Sequence, residues 1–188
     1  ILMLSYFQSS EDIGVYDSAL RLAMLSSLSL IAVNSIATLK FDEFFSKGDI
    51  EGLKKTVQSS TKLVFLTTTP ILLVTIVFSK QILGLFGNEF VVGYLALIYL
   101  CIARFCNSIS GSVGYIMQMT NEQVIFKNVL IIAFLINCSL NFVLIPKYSY
   151  NGAAIASSIA MIFWNFILVL IIKKKFGFWT IYVPFLKV

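Results

Sequence analysis

An arginine stands in the middle of a long apolar run. Arg104 is the midpoint of Val91 to Met117, 27 residues that are mostly hydrophobic. A guanidinium stays charged and donates hydrogen bonds in pairs, which suits carboxylates and phosphates. At mid-bilayer depth it costs between about 3 and more than 10 kcal/mol unless it faces protein or water. Asn107, Ser108, Gly111, Gly114, Tyr115 and Gln118 share a helical stripe with Arg104, and Ile98, Ile102, Ile109, Val113 and Ile116 fall opposite. The chemistry this offers is binding of a polar, anionic group. Two placements are open: Arg104 contacts such a group in a wet cavity, or it pairs with an acid or with carbonyls inside the bundle.

Five further polar residues belong to the same reading. Asp17, Arg21 and Asn34 lie on one side of a second apolar run, and Asn137 and Asn141 on one side of a third. Asp17 and Arg21 are four apart, the spacing of a helical ion pair. Asp17 then either neutralises Arg21 or binds a coupling ion. The asparagines are either sugar-binding or helix-packing groups. Thr67-Thr68-Thr69-Pro70 predicts a kink, because proline removes a helical hydrogen bond, and it marks Pro70 as a candidate hinge.

Catalytic chemistry is poorly served. There is no histidine, and Cys101, Cys106 and Cys138 form no CxxC pair. The cysteines read as small buried hydrophobes. No catalytic residue, metal ligand set or cofactor site is expected, which disfavours a membrane polymerase or acyltransferase. A purely structural subunit leaves a mid-membrane arginine without a purpose.

The elements that must position these residues follow from composition. The chain is 59% hydrophobic and 12% charged, with mean hydropathy +0.91, as in all-α integral membrane proteins. The net charge of +5 reflects lysines flanking spans, so no nucleic-acid partner is expected. Spans are expected at about 1–7 (partial), 14–39, 63–79, 91–117, 126–145 and 152–172. Together 1–175 reads as one transmembrane lobe of six helices, and 176–188 as a cytoplasmic tail that is interfacial or loosely ordered. The charged stretch Lys40 to Lys62 reads as an amphipathic lead-in at the membrane surface, with Asp49 capping a helix. Lys80 to Phe90 and Thr120 to Gln123 read as loops, and Pro146 to Asn151 as a turn. Gly152, Ala153, Ala156, Ser157 and Ala160 form a small-residue stripe for close helix packing. Ile1 to Phe7 reads as the end of a segment already under way, so the chain is expected to be the C-terminal part of a longer polypeptide.

Basic residues alternate across the spans. Counted outside Arg104, the even-numbered polar segments and the tail carry ten Lys and Arg, the odd-numbered segments three. The positive-inside rule then places the C-terminus in the cytoplasm.

Several segments carry a resemblance. They are G-V-Y-D-S-A-L-R (14–21), F-S-K-G-D-I-E-G-L-K-K (45–55), I-L-G-L-F-G-N-E-F (82–90), G-Y-I-M-Q-M-T-N (114–121), N-F-V-L-I-P-K-Y (141–148) and N-G-A-A-I-A (151–156). In this order and spacing the chain resembles the C-terminal half of polysaccharide-lipid flippases of the O-antigen type. These share a superfamily with lipid II flippases and multidrug/cation antiporters (MATE). One segment departs: A-T-L-K-F (37–41) stands where the family often has A-x-P-K-F. The resemblance implies one lobe of a 12-helix, V-shaped transporter, with the N-terminal half of the same polypeptide as the other lobe. It implies transport of an oligosaccharide on undecaprenyl diphosphate from the cytoplasmic to the periplasmic leaflet of a bacterial inner membrane. Lipid-linked oligosaccharide and membrane lipid are the expected partners. Arg104, Asn107, Arg21, Asn34, Asn137 and Asn141 are the expected substrate-binding residues. A cation-coupled multidrug antiporter of the same fold is the alternative.

Overall fold

The structure, a computed structural model, describes residues 2–182. Among them the chain is helical, without strands. Eight α-helices follow in order: α1 (Leu2–Phe7), α2 (Ser10–Leu25), α3 (Ser27–Ser46), α4 (Ile50–Val77), α5 (Ser79–Gly84), α6 (Tyr94–Ser110), α7 (Val113–Met119) and α8 (Gln123–Phe176). A 3-10 segment, Asn88–Gly93, leads into α6. Three helices are long and apolar enough to cross a membrane, and the α2–α3 pair makes a fourth if counted as one bent span.

α8 is two legs rather than one rod. A straight helix of 54 residues would hold its ends roughly 80 Å apart. Instead Glu122 at its start forms an ion pair with Lys175 in its last turn. The reversal falls at Ser149, whose φ of 49° leaves helical geometry. There Gly152 presses against the other leg: a β-carbon on it would lie 2.3 Å from the Leu144 carbonyl oxygen. The expected turn at Pro146 to Asn151 is therefore present, shortened to a sharp break. Gln8 of the α1–α2 link donates its side-chain amide to the Ile145 carbonyl beside it, at 3.4 Å.

Four boundaries differ from expectation. The stretch Val91 to Met117 is not one helix. It breaks at Gly111, where φ is +75°, and a β-carbon there would come within 2.1 Å of the Thr61 hydroxyl on α4. Helical periodicity runs on through a glycine, so sequence gives no warning. Likewise Gly14 to Leu39 is not one straight span: α2 and α3 meet at Ser26 with a bend of 42°. The charged lead-in is not a separate surface helix. α3 runs on to Ser46, and α4 begins at Ile50 and continues into the apolar span. Asp49 caps α4 as expected, accepting from the Gly52 N–H at 2.8 Å. Finally, Lys80 to Phe90 is mostly ordered into α5 and the 3-10 segment.

The tail is not loose where it is described. After Gly177 the chain turns back along α4. Phe178 and Thr180 are buried, Tyr182 N–H donates to the Ile109 carbonyl at 3.1 Å, and the Tyr182 ring meets Phe65. Residues 183–188 lie outside the described residues.

α6 is the hub, packed against α2, α4 and α8. The small residues of the second α8 leg let it approach closely: Gly152, Ala153, Ala156 and Ala160 are buried, and Ser158 reaches the Tyr99 carbonyl on α6 at 2.9 Å. Two apolar clusters divide the interior. One gathers Leu4, Tyr16, Ala19, Leu97, Leu100 and Ala154, and includes Cys101. The other gathers Phe41, Leu53, Val57, Ile116, Met117, Leu168 and Ile172. Much of the outer surface is large and apolar, including Leu39, Leu66, Phe134 and Phe142, the dress of a lipid-facing protein.

Candidate functional site

Between the two apolar clusters, every long element carries polar residues. Along α2 and α3 they are Ser26, Ser27 and Asn34; along α4 Ser60, Thr61 and Thr68; along α6 Arg104, Asn107 and Ser108. On α8 they are Asn137 and Asn141 in the first leg and Asn165 in the second. Ser26, Ser27, Thr68, Arg104, Asn107 and Ser108 meet round one pocket, and Asn165 joins through Asn107, so polar groups of α3, α4, α6 and α8 come together at one level of an apolar bundle. In hydrocarbon such groups persist only where protein or water satisfies them.

Arg104 sits at this level on α6 and points into a small cavity. The walls are Ser26, Ser27 and Leu30 at the α2–α3 bend, Val64 and Thr68 of α4, and Asn107 and Ser108 of α6. About 10 Å³ is open to the centre of a water molecule, room for about one water. Arg104 is half-buried and, among the described residues, has no ion pair and no hydrogen bond. The hydroxyls of Ser27 and Thr68 are buried without a partner. A cation and two free hydroxyls therefore share one pocket with no anion in it. Serine and threonine in helices usually donate to their own preceding turn. Ser108 does so, to the Phe105 carbonyl, whereas Thr68 does not.

Asn107 is committed to packing. Its amide donates to the Asn165 side-chain oxygen at 2.9 Å, and Asn165 in turn donates to the Met161 carbonyl. This bridge ties α6 to the second leg of α8. Asn165 is a residue that sequence reasoning missed; a lone asparagine inside the apolar run 152–172 was the available signal. Thr68 was missed as well.

The other expected site residues do not converge on Arg104. Arg21 pairs with Asp17, Nε to Oδ2 at 2.6 Å, on the exposed side of α2. Of the two roles open to Asp17, the geometry displays the neutralising one. Asn34 is 1% exposed and neither end of its amide finds a partner among the described residues. Asn141 donates to Asn137 one turn away at 2.9 Å, leaving its own oxygen unpaired. Beyond the break at Gly111 the Arg104 stripe ends: Tyr115 packs in the second apolar cluster, Gly114 faces Phe126, and Gln118 bonds the Gly114 carbonyl. Pro70 lies within α4, which keeps helical geometry through it. Thr67 donates to the Leu63 and Val64 carbonyls, so no threonine hydroxyl takes up the Leu66 carbonyl that proline leaves free.

A polar level with an unneutralised arginine, inside a lipid-facing helical bundle, is the build of a membrane carrier. The sequence profile of one family, MatE, matches residues 1–146, more than three quarters of the chain. The chain belongs to the MatE family. That family consists of helical membrane transporters, which agrees with the expectation against an enzyme. The chain is also similar to the probable low-salt glycan biosynthesis flippase Agl15 of Haloferax volcanii. Identity is 25% over 161 residues, covering 85% of this chain and 34% of that protein. The chain thus spans about a third of the length of this relative. No solved structure matches it.

Proposed function

We propose that this chain is one lobe of a flippase for lipid-linked glycans, and that Arg104 contacts the anionic headgroup of the cargo. The carrying observation is the uncompensated guanidinium beside two unpaired hydroxyls in one mid-bundle pocket. Once the pocket, which in this conformation has room for about one water, is open, a diphosphate supplies the missing charge and accepts from all three groups. The named flippase relative supports a glycan cargo.

In the finer reading, the cargo is an O-antigen or related repeat unit on undecaprenyl diphosphate. It crosses from the cytoplasmic to the periplasmic leaflet of a bacterial inner membrane by alternating access. The N-terminal half of the same polypeptide forms the facing lobe, and the C-terminus is cytoplasmic, as the lysine bias implies. Asn34, with both ends of its amide unpaired, and Asn137 and Asn141, which leave one amide oxygen free, are the groups that extend the polar lining when the lobes part. The 42° bend at Ser26 adjoins the Arg104 pocket, so a change of bend opens or closes it.

The alternative, a cation-coupled multidrug antiporter, needs an available acid inside a span. Asp17 is held by Arg21, which favours the flippase.

Transport of lipid-linked glycan in cells carrying Arg104→Ala and Arg104→Lys tests the proposal. The alanine variant loses transport. The lysine variant keeps part of it, because charge survives while the paired donors do not. Wild-type transport by Arg104→Ala overturns the reading.

A further inference from the structure

On the side of α3 and α4 near the turn that joins them, a second cavity opens. It is a groove of about 520 Å³ between the two helices. Its mouth carries Lys40, six residues before the end of α3, and Lys55, five after the start of α4. The two ammonium groups stand at matching heights on antiparallel helices. Both are exposed, and neither has an ion pair among the described residues. The acids of this region, Asp42, Glu43, Asp49 and Glu51, do not line the groove, and Glu43 is already paired with Lys47.

Away from the lysines the walls become apolar, ending at Ala32 and Leu63. That is eight residues on each helix, roughly 12 Å of depth. The apolar run of α3 ends at Leu39, so Lys40 marks the height at which headgroups begin. One hydroxyl is free near the mouth: Ser59 makes no side-chain bond among the described residues, whereas Ser60 and Thr56 donate to their own helix.

We propose that this groove binds one anionic phospholipid of the surrounding bilayer. Its phosphate sits between Lys40 and Lys55, and an acyl chain lies along Ile36, Ala32 and Leu63. Lysine ammonium groups act as point charges, which suits a singly charged phosphodiester rather than a forked contact. The site is separate from the Arg104 pocket and does not depend on what the protein transports. A lipid bound here braces α3, the helix that leaves the bend at Ser26, against α4.

The test uses the protein in neutral detergent, titrated with phosphatidylglycerol or phosphatidylcholine, with bound lipid counted by native mass spectrometry. Phosphatidylglycerol binds in preference. Removing both charges (Lys40→Gln with Lys55→Gln) weakens it roughly ten- to thirtyfold. Ala32→Trp, at an exposed position, fills the trough and abolishes the same binding with the lysines intact. Equal binding of phosphatidylcholine, or indifference to either variant, overturns the proposal. So does displacement of phosphatidylglycerol by much lower concentrations of undecaprenyl phosphate, which would make the carrier lipid the occupant. Absence of any bound lipid would mean that another helix of the protein fills the groove, and overturns it too. Loss of transport in Arg104→Ala with lipid binding retained leaves this site standing.

Discussion

Gly111 of α6 and Thr61 of α4 touch so closely that no other residue fits at the first position. A β-carbon on Gly111 would lie 2.1 Å from the Thr61 hydroxyl and 2.8 Å from its own β- and γ-carbons. The same residue holds φ at +75° and ψ at −146°, a region that only glycine visits freely. This one contact breaks the longest predicted span, and α7 resumes two residues beyond it.

Gly111→Ala therefore costs backbone strain and overpacking together, about 2–5 kcal/mol. Thermal unfolding in detergent should show a large fall in Tm. Adding Thr61→Ala recovers only part of the packing cost, because the β-carbon at position 61 stays 2.8 Å from the new one. A Tm within a degree or two of wild type would mean that the break is not held by this contact.

The Asn107–Asn165 bridge should behave as an interhelical hydrogen bond in lipid. A double-mutant cycle with alanine at each position should give a coupling of about 0.6–1.7 kcal/mol. Zero coupling would separate α6 from the second leg of α8 at this level.

The hairpin of α8 predicts a cross-link. Cysteines replacing Glu122 and Lys175, in a background lacking Cys101, Cys106 and Cys138, should be joined by a short bifunctional thiol-reactive cross-linker. Their native side chains pair although 53 residues apart in sequence. The ion pair itself contributes little, about 0–1 kcal/mol, because it is near the surface. A straight α8 could not form the bridge.

Pro70→Ala restores an N–H that can bond the Leu66 carbonyl, so α4 should become more stable by up to about 3 kcal/mol. If Pro70 serves as a hinge, the gain in Tm comes with slower transport. Unchanged transport would remove Pro70 from the mechanism.

What the sequence disclosed was local. The Asp49 cap and the Asp17–Arg21 pair each rest on a spacing within one helical turn, and both are present. Proline, tyrosine and glycine announced the reversal near Ser149. The small-residue stripe of α8 announced its close packing on α6. What escaped notice was non-local or silent in periodicity. The bend at Ser26 falls at a Ser26-Ser27 pair, a weak kink signal inside an otherwise continuous apolar run, and Gly111 looked like one more member of a stripe. Asn107 looked like a cavity residue because its partner, Asn165, is 58 positions away. The packed tail was unreadable because its contacts, Gln58 and Ile109, belong to α4 and α6.

Water access at position 104 tests the account most directly. Arg104→Cys, in a background without the three native cysteines, is probed with a membrane-impermeant thiol reagent in intact cells and in opened membranes. The account predicts labelling, reduced when the lipid-linked glycan cargo is abundant, because the pocket opens to water and then to headgroup. Failure to label in both preparations would contradict it: Arg104 would be sealed inside the lobe, and the headgroup site would lie elsewhere.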